Sequence, residues 1–158
     1  MGRITPCLWF DTEGQEAAEL YTSIFPNSKI TKVTTRPDRP EGTVLTVEFE
    51  LDGEPFVALN GGPQFSFSEA TSFQVDCDTQ ADVDAYWALL SEGGEEGPCG
   101  WLKDRFGLSW QIIPTALTRL LNDPDREKAQ RVMAAMMKMG KIEIAELERA
   151  AEGVGASS

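Results

Sequence analysis

Hydrophobic and polar residues alternate through residues 43–51, with Leu45, Val47, Phe49 and Leu51 on one side and Thr46, Glu48 and Glu50 on the other. A strand sends successive side chains to opposite faces, so this period of two predicts a half-buried strand. Asp52 and Gly53 supply a turn, and residues 56–60 read as the returning strand. Upstream, residues 4–11 are strand-like. Ala17, Leu20, Tyr21, Ile24 and Phe25 then recur at helical spacing until Pro26 and Asn27 stop the run. Residues 28–35 carry the β-branched side chains of another strand, and residues 36–42, with two prolines, form a loop.

After Gly61, Gly62 and Pro63 the same order begins again. Residues 71–77 alternate Phe73, Val75 and Cys77 against Ser72, Gln74 and Asp76. Residues 79 to 90 follow as a helix with Val83, Tyr86, Trp87 and Leu90 on its apolar stripe. A glycine-rich loop (93–100) leads into a hairpin over 100–114 that turns at Phe106 and Gly107. On its second strand Trp110 and Ile112 face one way, and Ser109, Gln111 and Ile113 the other. The sequence thus duplicates a strand–helix–strands topology. Its second copy reads as one strand short, because 91–100 is too rich in glycine. The tail is helical at 115–121, at 124 to 139 with Asn122 or Asp123 as cap and Gly140 as stop, and at 142–151; residues 153–158 read as a frayed end. The organisation expected is a domain over 1–115, with modules at 3–62 and 68–115, and a helical extension over 116–158.

Charge narrows the partners. Lys and Arg total 14 against 26 Asp and Glu, a formal net charge of −12 over 158 residues. That balance opposes binding to nucleic acid or to an anionic membrane. No apolar run reaches the roughly 20 residues of a membrane helix. The first residues do not read as a signal peptide, and Pro6 stands where a myristoylation signal needs Ser or Thr. Three cysteines without a CxxC pair fit reduced thiols in a cytoplasm, and a chain of this size needs no disulfides. Histidine is absent altogether. With it go the commonest general base, the commonest metal ligand and every Ser-His or Cys-His nucleophile pair.

Several clusters have plainer readings than their chemistry suggests. Asp76, Asp78, Asp82 and Asp84 lack the spacing and glycine of a calcium loop, whereas Thr79 with Asp82 forms a capping pair at a helix start. Gly94, Gly97 and Gly100 follow a helix and precede a strand, the reverse of a dinucleotide or methyl-donor loop, and read as a flexible connection. Met133, Met136, Met137 and Met139 suit helix packing or a partner subunit. Cys7 and Cys77 lie within strands and read as buried bystanders. Trp87 and Trp110 read as core between helix and sheet, which leaves Phe10 and Trp101 for a ligand wall. The polar strand faces carry Thr46, Glu48, Asn60, Ser72, Gln74, Ser109 and Gln111. With Phe10, Pro6 and Phe56 assigned the same parity, they suit a half-apolar pocket better than an open surface.

The segment Ile4-Thr5-Pro6-Cys7-Leu8-Trp9-Phe10-Asp11, the run Glu16-Ala17-Ala18-Glu19-Leu20-Tyr21 and residues 100–114, set in the duplicated topology, closely resemble the PhnB-like family. Its members are often labelled 3-demethylubiquinone-9 3-methyltransferase domain proteins, within the glyoxalase/bleomycin-resistance/dioxygenase (vicinal oxygen chelate) superfamily. The resemblance covers residues 3–115. It implies an α+β fold of paired βαβββ modules forming a cup-shaped mixed sheet, with C-terminal helices outside it, and a homodimer. In the superfamily's metal enzymes the ligands sit on the first and last strands of each module. By register those places fall near Thr5 or Pro6, Ala58, Ala70 and Gln111, of which only Gln111 offers a donor side chain suited to a divalent metal.

The expectation is therefore a cytoplasmic protein that binds a small organic molecule without metal or other cofactor. Phe10, Asn60, Ser72, Gln74, Trp101 and Gln111 would form the ligand-binding set, since amides both donate and accept hydrogen bonds. Glu48, if partly buried, would serve as a base. The alternatives are a metal-dependent lyase, isomerase or dioxygenase with oxygen ligands such as Glu48 and Gln111, and the labelled methyl transfer to a quinone precursor.

Overall fold

A computed structural model describes residues 2–153. The chain divides into two compact units, residues 1–67 and 68–158. The first carries β1 (Cys7–Phe10), α1 (Gly14–Ile24), β2 (Lys29–Thr35), β3 (Val44–Leu51) and β4 (Glu54–Asn60). Its strands lie in the order β1-β4-β3-β2, with β1 parallel to β4 and the other pairs antiparallel. The second repeats this order with β5 (Ser72–Cys77), α2 (Gln80–Ser91), β6 (Glu95–Glu96), β7 (Trp101–Lys103) and β8 (Ser109–Pro114), as β5-β8-β7-β6. The fold is α+β, two βαβββ modules each built on a four-stranded mixed sheet.

The strand that glycine content argued against is present as β6. Two residues suffice because each pairs with β7, Glu95 with Lys103 and Glu96 with Leu102. The glycines around it are fixed by close packing rather than loose. A Cβ on Gly94 would come 2.1 Å from the Lys103 carbonyl oxygen. One on Gly100, at φ +84°, would come 2.9 Å from that of Ile112. Both are closer than a side chain tolerates, so this connection is a tightly packed edge that only glycine can form.

Each sheet buries one face under its own helix. In the first unit Ala17, Ala18 and Tyr21 of α1 are buried, with the Tyr21 and Phe49 rings 6.4 Å apart. In the second, Val83, Trp87 and Leu90 of α2 are buried against a sheet face carrying Leu102, Trp110 and Ile112. Thr79 caps α2 as expected, its hydroxyl accepting from the Asp82 backbone N–H at 3.1 Å.

The tail forms α3 (Thr115–Leu121), α4 (Arg126–Met136) and α5 (Ile144–Ala151). Asp125, rather than Asn122 or Asp123, caps α4 by accepting from the Glu127 and Lys128 amides. These helices enclose a small core of their own with Leu117, Leu120, Val132, Ile142 and Leu147, to which Ile113 of β8 contributes. Within the second unit, the segment between α4 and α5 is stitched to α2 and to the turn before β7. The Gln80 amide donates to the Ile142 carbonyl and accepts from the Ile144 N–H, and Cys99 and Gly100 donate to the carbonyls of Met139 and Gly140. The expected frayed end falls at residues 154–158, outside the described residues, with only Gly153 inside them.

Asp104 holds the β7–β8 turn. It is 2% exposed, yet its carboxylate is fully used. Oδ1 accepts from the Phe106 N–H at 2.9 Å and the Leu108 N–H at 3.1 Å, and Oδ2 accepts from the Trp110 indole at 2.9 Å. Hydrogen bonds to a buried charged group contribute about 1.5–3 kcal/mol each, and removing the acceptor strands three donors. Asp104→Ala is expected to lower stability by at least about 3 kcal/mol in urea denaturation. Asp104→Asn, which turns an NH2 group toward one of those donors, should recover only part of the loss. A change below about 0.5 kcal/mol in both variants would contradict this role.

Candidate functional site

In the second unit, backbone register fixes which side chains share a face. Gln74 of β5, Gln111 of β8 and Trp101 of β7 are mutual partners across the sheet. So are Ser72, Ser109 and Lys103, with Glu95 of β6 completing the row. Directly paired residues point the same way, so these seven side chains occupy one face. The intervening row of Phe73, Trp110 and Leu102 faces α2. The parity read for Trp110 and Gln111 is the one observed. Ile113 lies on the polar face too, but the tail helices cover it, and this closes one end of that face.

The polar groups there are partly committed to each other. Gln111 Nε2 donates to Ser72 Oγ at 2.9 Å, and Gln74 Nε2 donates to Asp76 Oδ1 at 2.9 Å. Lys103 pairs with Glu69, which lies just before β5. That hydrogen bond raises the Lys103 ammonium above the usual lysine range, the charge of Glu69 and then of Glu95 add to it, and the same bond lowers the Glu69 carboxyl. Ser109 is 1% exposed, and its Oγ is buried without a hydrogen-bond partner among the described residues. A buried hydroxyl left unpaired costs about 1–3 kcal/mol. An open cleft of ≈ 300 Å³ runs along this face, lined by Glu69, Glu95, Pro98, Trp101, Lys103 and Ser109.

The four tryptophans differ in how they are held. Trp9 donates its indole N–H to the Gly62 carbonyl, Trp87 to Glu96 and Trp110 to Asp104, each at 2.9 Å. No acceptor for the half-buried Trp101 indole is found among the described residues. It is the aromatic side chain of this face left available to a ligand.

The sequence-predicted residues of the first unit lie elsewhere. By register Phe10 pairs with Asn60, and Leu8 with Ala58, on the face that α1 covers. Phe10 is 3% exposed and packs edge-to-face on Phe67 at 5.2 Å. Asn60 is a remote cap for α1: its Oδ1 accepts from the Gly14 N–H at 2.8 Å, and its Nδ2 donates to the Val44 carbonyl at 3.2 Å. Gly14 permits this approach, since a Cβ there would stand 2.7 Å from Asn60 Oδ1. Phe56 stacks on Phe49 on the same helix-covered face. The expectation that Phe10, Phe56 and Asn60 share parity with Thr46 and Glu48 is therefore corrected. Glu48 does face away from α1, paired across the sheet with Lys32 and Val57, but it is exposed. The partial burial on which its role as a base depends is absent.

A divalent metal does not fit the donors present. Ala58 faces α1, and its neighbours on the other face of β4 are the apolar Val57 and Leu59. Gln111 donates its Nε2 to Ser72 and would offer only one neutral carbonyl oxygen, too few donors for a divalent ion. Among the described residues no group of three or more histidine, cysteine, aspartate or glutamate side chains is placed to hold a metal ion.

Ser109 belongs to the polar face expected from the sequence without standing out in it, and Glu69, Glu95 and Lys103 emerge only in the fold. The parity of Ser109 and Lys103 was countable. The pairing of Lys103 with a residue 34 positions earlier was not.

Residues 2–113 match the protein family described as 3-demethylubiquinone-9 3-methyltransferase. Among solved structures, a putative 3-demethylubiquinone-9 3-methyltransferase, PhnB protein, from Bacillus cereus is 30% identical. It aligns over 72% of this chain and 99% of its own, with a TM-score of 0.64. A protein from Pseudomonas aeruginosa is 17% identical over 72% of this chain and 98% of its own, with a TM-score of 0.61. The fosfomycin resistance protein FosX from Listeria monocytogenes is 14% identical over 72% and 93%, with a TM-score of 0.51. At these identities the last two show a shared fold alone. No curated protein matches the chain. The tail from α3 onward lies beyond the family match.

The three thiols are graded by environment. Cys7, expected to be buried, is exposed at the start of β1, because its side chain points away from α1. Cys99 is half-buried in a left-handed conformation (φ +57°), its sulfur 3.9 Å from that of Met137. Cys77 is buried, and burial followed by the charges of Asp82, Asp76 and Asp78 pushes its thiol from 9.0 up to about 11. The native state therefore favours the neutral thiol. That contribution is complete below pH 9 and is lost as pH rises through about 11. At neutral pH iodoacetamide is expected to modify Cys7 first and Cys77 only on unfolding. Urea melts between pH 8 and pH 11 should show a loss of stability that Cys77→Ala reduces. Alkylation of native Cys77 before Cys7 would contradict this ranking.

Proposed function

The chain belongs to the 3-demethylubiquinone-9 3-methyltransferase (PhnB-like) family of the glyoxalase superfamily, and from that premise we propose that it binds a small organic molecule on the polar face of β5, β8 and β7. The observation that carries this reading is the pairing of a free aromatic wall with an unsatisfied polar group. Trp101 offers an indole without an acceptor, and Ser109 holds a buried hydroxyl without a partner, along one cleft. Trp101, Gln111, Ser72 and Gln74 would form the wall and rim, with Ser109 at the floor. The Ser72–Gln111 bond fixes the rim amide, so little ordering cost remains when a ligand arrives. Phe10 and Asn60 support the first unit rather than touch the ligand.

The ligand is held by protein groups alone, because the donor set does not suit a divalent ion. The methyl transfer in the family's description requires a donor site, and the glycines at 94, 97 and 100 pack around β6 and β7 rather than opening a strand-to-helix loop. Calorimetry with S-adenosylmethionine is expected to give no heat of binding.

The reading is tested on the full chain by elemental analysis, followed by a metabolite screen read by melting temperature and by the Trp101 indole resonance. Substoichiometric metal is expected, together with hits that raise the melting temperature by mass action and shift the Trp101 signal. Trp101→Leu should abolish those shifts, and Ser109→Ala should weaken binding about threefold to tenfold. Stoichiometric tightly bound metal, or hits that leave Trp101 unmoved, would contradict it.

A further inference from the structure

The charges around this cleft narrow its ligand further. Resting on the ligand-binding reading above, we infer that the cleft takes an organic cation: a flat apolar body carrying an amidinium, guanidinium or ammonium group.

Three observations converge on that class. The first is the fixed charge. Two carboxylates, Glu69 and Glu95, stand on the cleft wall beside one ammonium, Lys103. Glu69 already matches the lysine, which leaves Glu95 in excess on the same row. Glu96, the third acid of the lining, holds the Trp87 indole from the helix side of the sheet and adds negative charge behind the wall. The second is the aromatic surface. Trp101 stands one residue pair along from Lys103 and Ser109, and an indole face attracts cations through its quadrupole. The third is Ser109. Its hydroxyl oxygen can accept an N–H of an amidinium or ammonium group, which would end the isolation of that atom.

An anionic ligand meets the opposite conditions. The one cation on the wall is already engaged, and each acidic neighbour repels the newcomer. The state of Lys103 agrees, since the surrounding acids hold its ammonium above the usual lysine range, as they would hold a second cation. The net charge of −12 would also steer cations toward the chain at low ionic strength. The cleft volume of ≈ 300 Å³ admits a single-ring molecule and excludes large polycations.

Three isosteric probes separate charge from shape: benzamidinium, neutral benzamide and anionic benzoate. Each is titrated into the full chain while the four indole N–H resonances are followed. Benzamidinium is expected to move the Trp101 resonance saturably, with an affinity roughly fivefold or more above that of benzamide. Benzoate should not bind. Added salt should weaken the benzamidinium complex. Glu95→Gln, on an exposed two-residue edge strand, should remove most of the preference for the cation, and Ser109→Ala should weaken benzamidinium more than benzamide. If the three probes move Trp101 with equal affinity, or benzoate binds best, the cation inference is overturned while the ligand-binding reading stands. If none of them moves Trp101, both are overturned.

Discussion

The side chains that line the cleft are selected by the register of β7 against β8, and Asp104 holds that register at the turn. Its carboxylate collects the Phe106 and Leu108 amides and the Trp110 indole. A slip of β7 by one residue would carry Trp101 and Lys103 to the face under α2 and Leu102 to the opposite face, while β8 kept its own faces. The carboxylate therefore fixes the turn and the orientation of a buried tryptophan in one place. Placing it there costs desolvation, which three hydrogen bonds offset.

From that register the second unit follows. Trp110, Ile112 and Leu102 bury against α2, so the polar row lies on the opposite, partly accessible face of the sheet. The tail helices close this face only at Ile113, through a core they share with β8. What stays open is a cleft with an indole, a hidden hydroxyl and an excess of carboxylate. Each of these follows from a side chain whose alternative partner is absent or already used.

The parts of this arrangement legible in the sequence are those that depend on neighbours close along the chain. The alternation of 109–113 could be counted, the turn at Phe106 and Gly107 could be read, and both are observed. The duplicated topology was legible for the same reason. Asn60 could have been placed by counting across the β3–β4 hairpin, where Leu51 pairs with Glu54 and Val47 with Ala58. Phe10 could not, because its parity depends on the register of two parallel strands far apart in sequence. That register pairs Phe10 with Asn60 and turns both toward α1. The edge strand β6 was missed because Glu95 and Glu96 have no strand propensity of their own and gain it only from pairing with β7. Asp104 gave no signal either. An acid in a turn is ordinary, and only the fold reveals that it is buried.

The central claim is that the Trp101 face is the open one and that the other indoles are held by the fold. Hydrogen exchange of the four indole N–H groups in the native full chain tests it most directly. Trp101 is predicted to exchange fastest, with Trp110 and Trp87 protected to near the global unfolding limit and Trp9 between them. Protection of Trp101 equal to that of Trp110, or faster exchange at Trp110, would contradict the account.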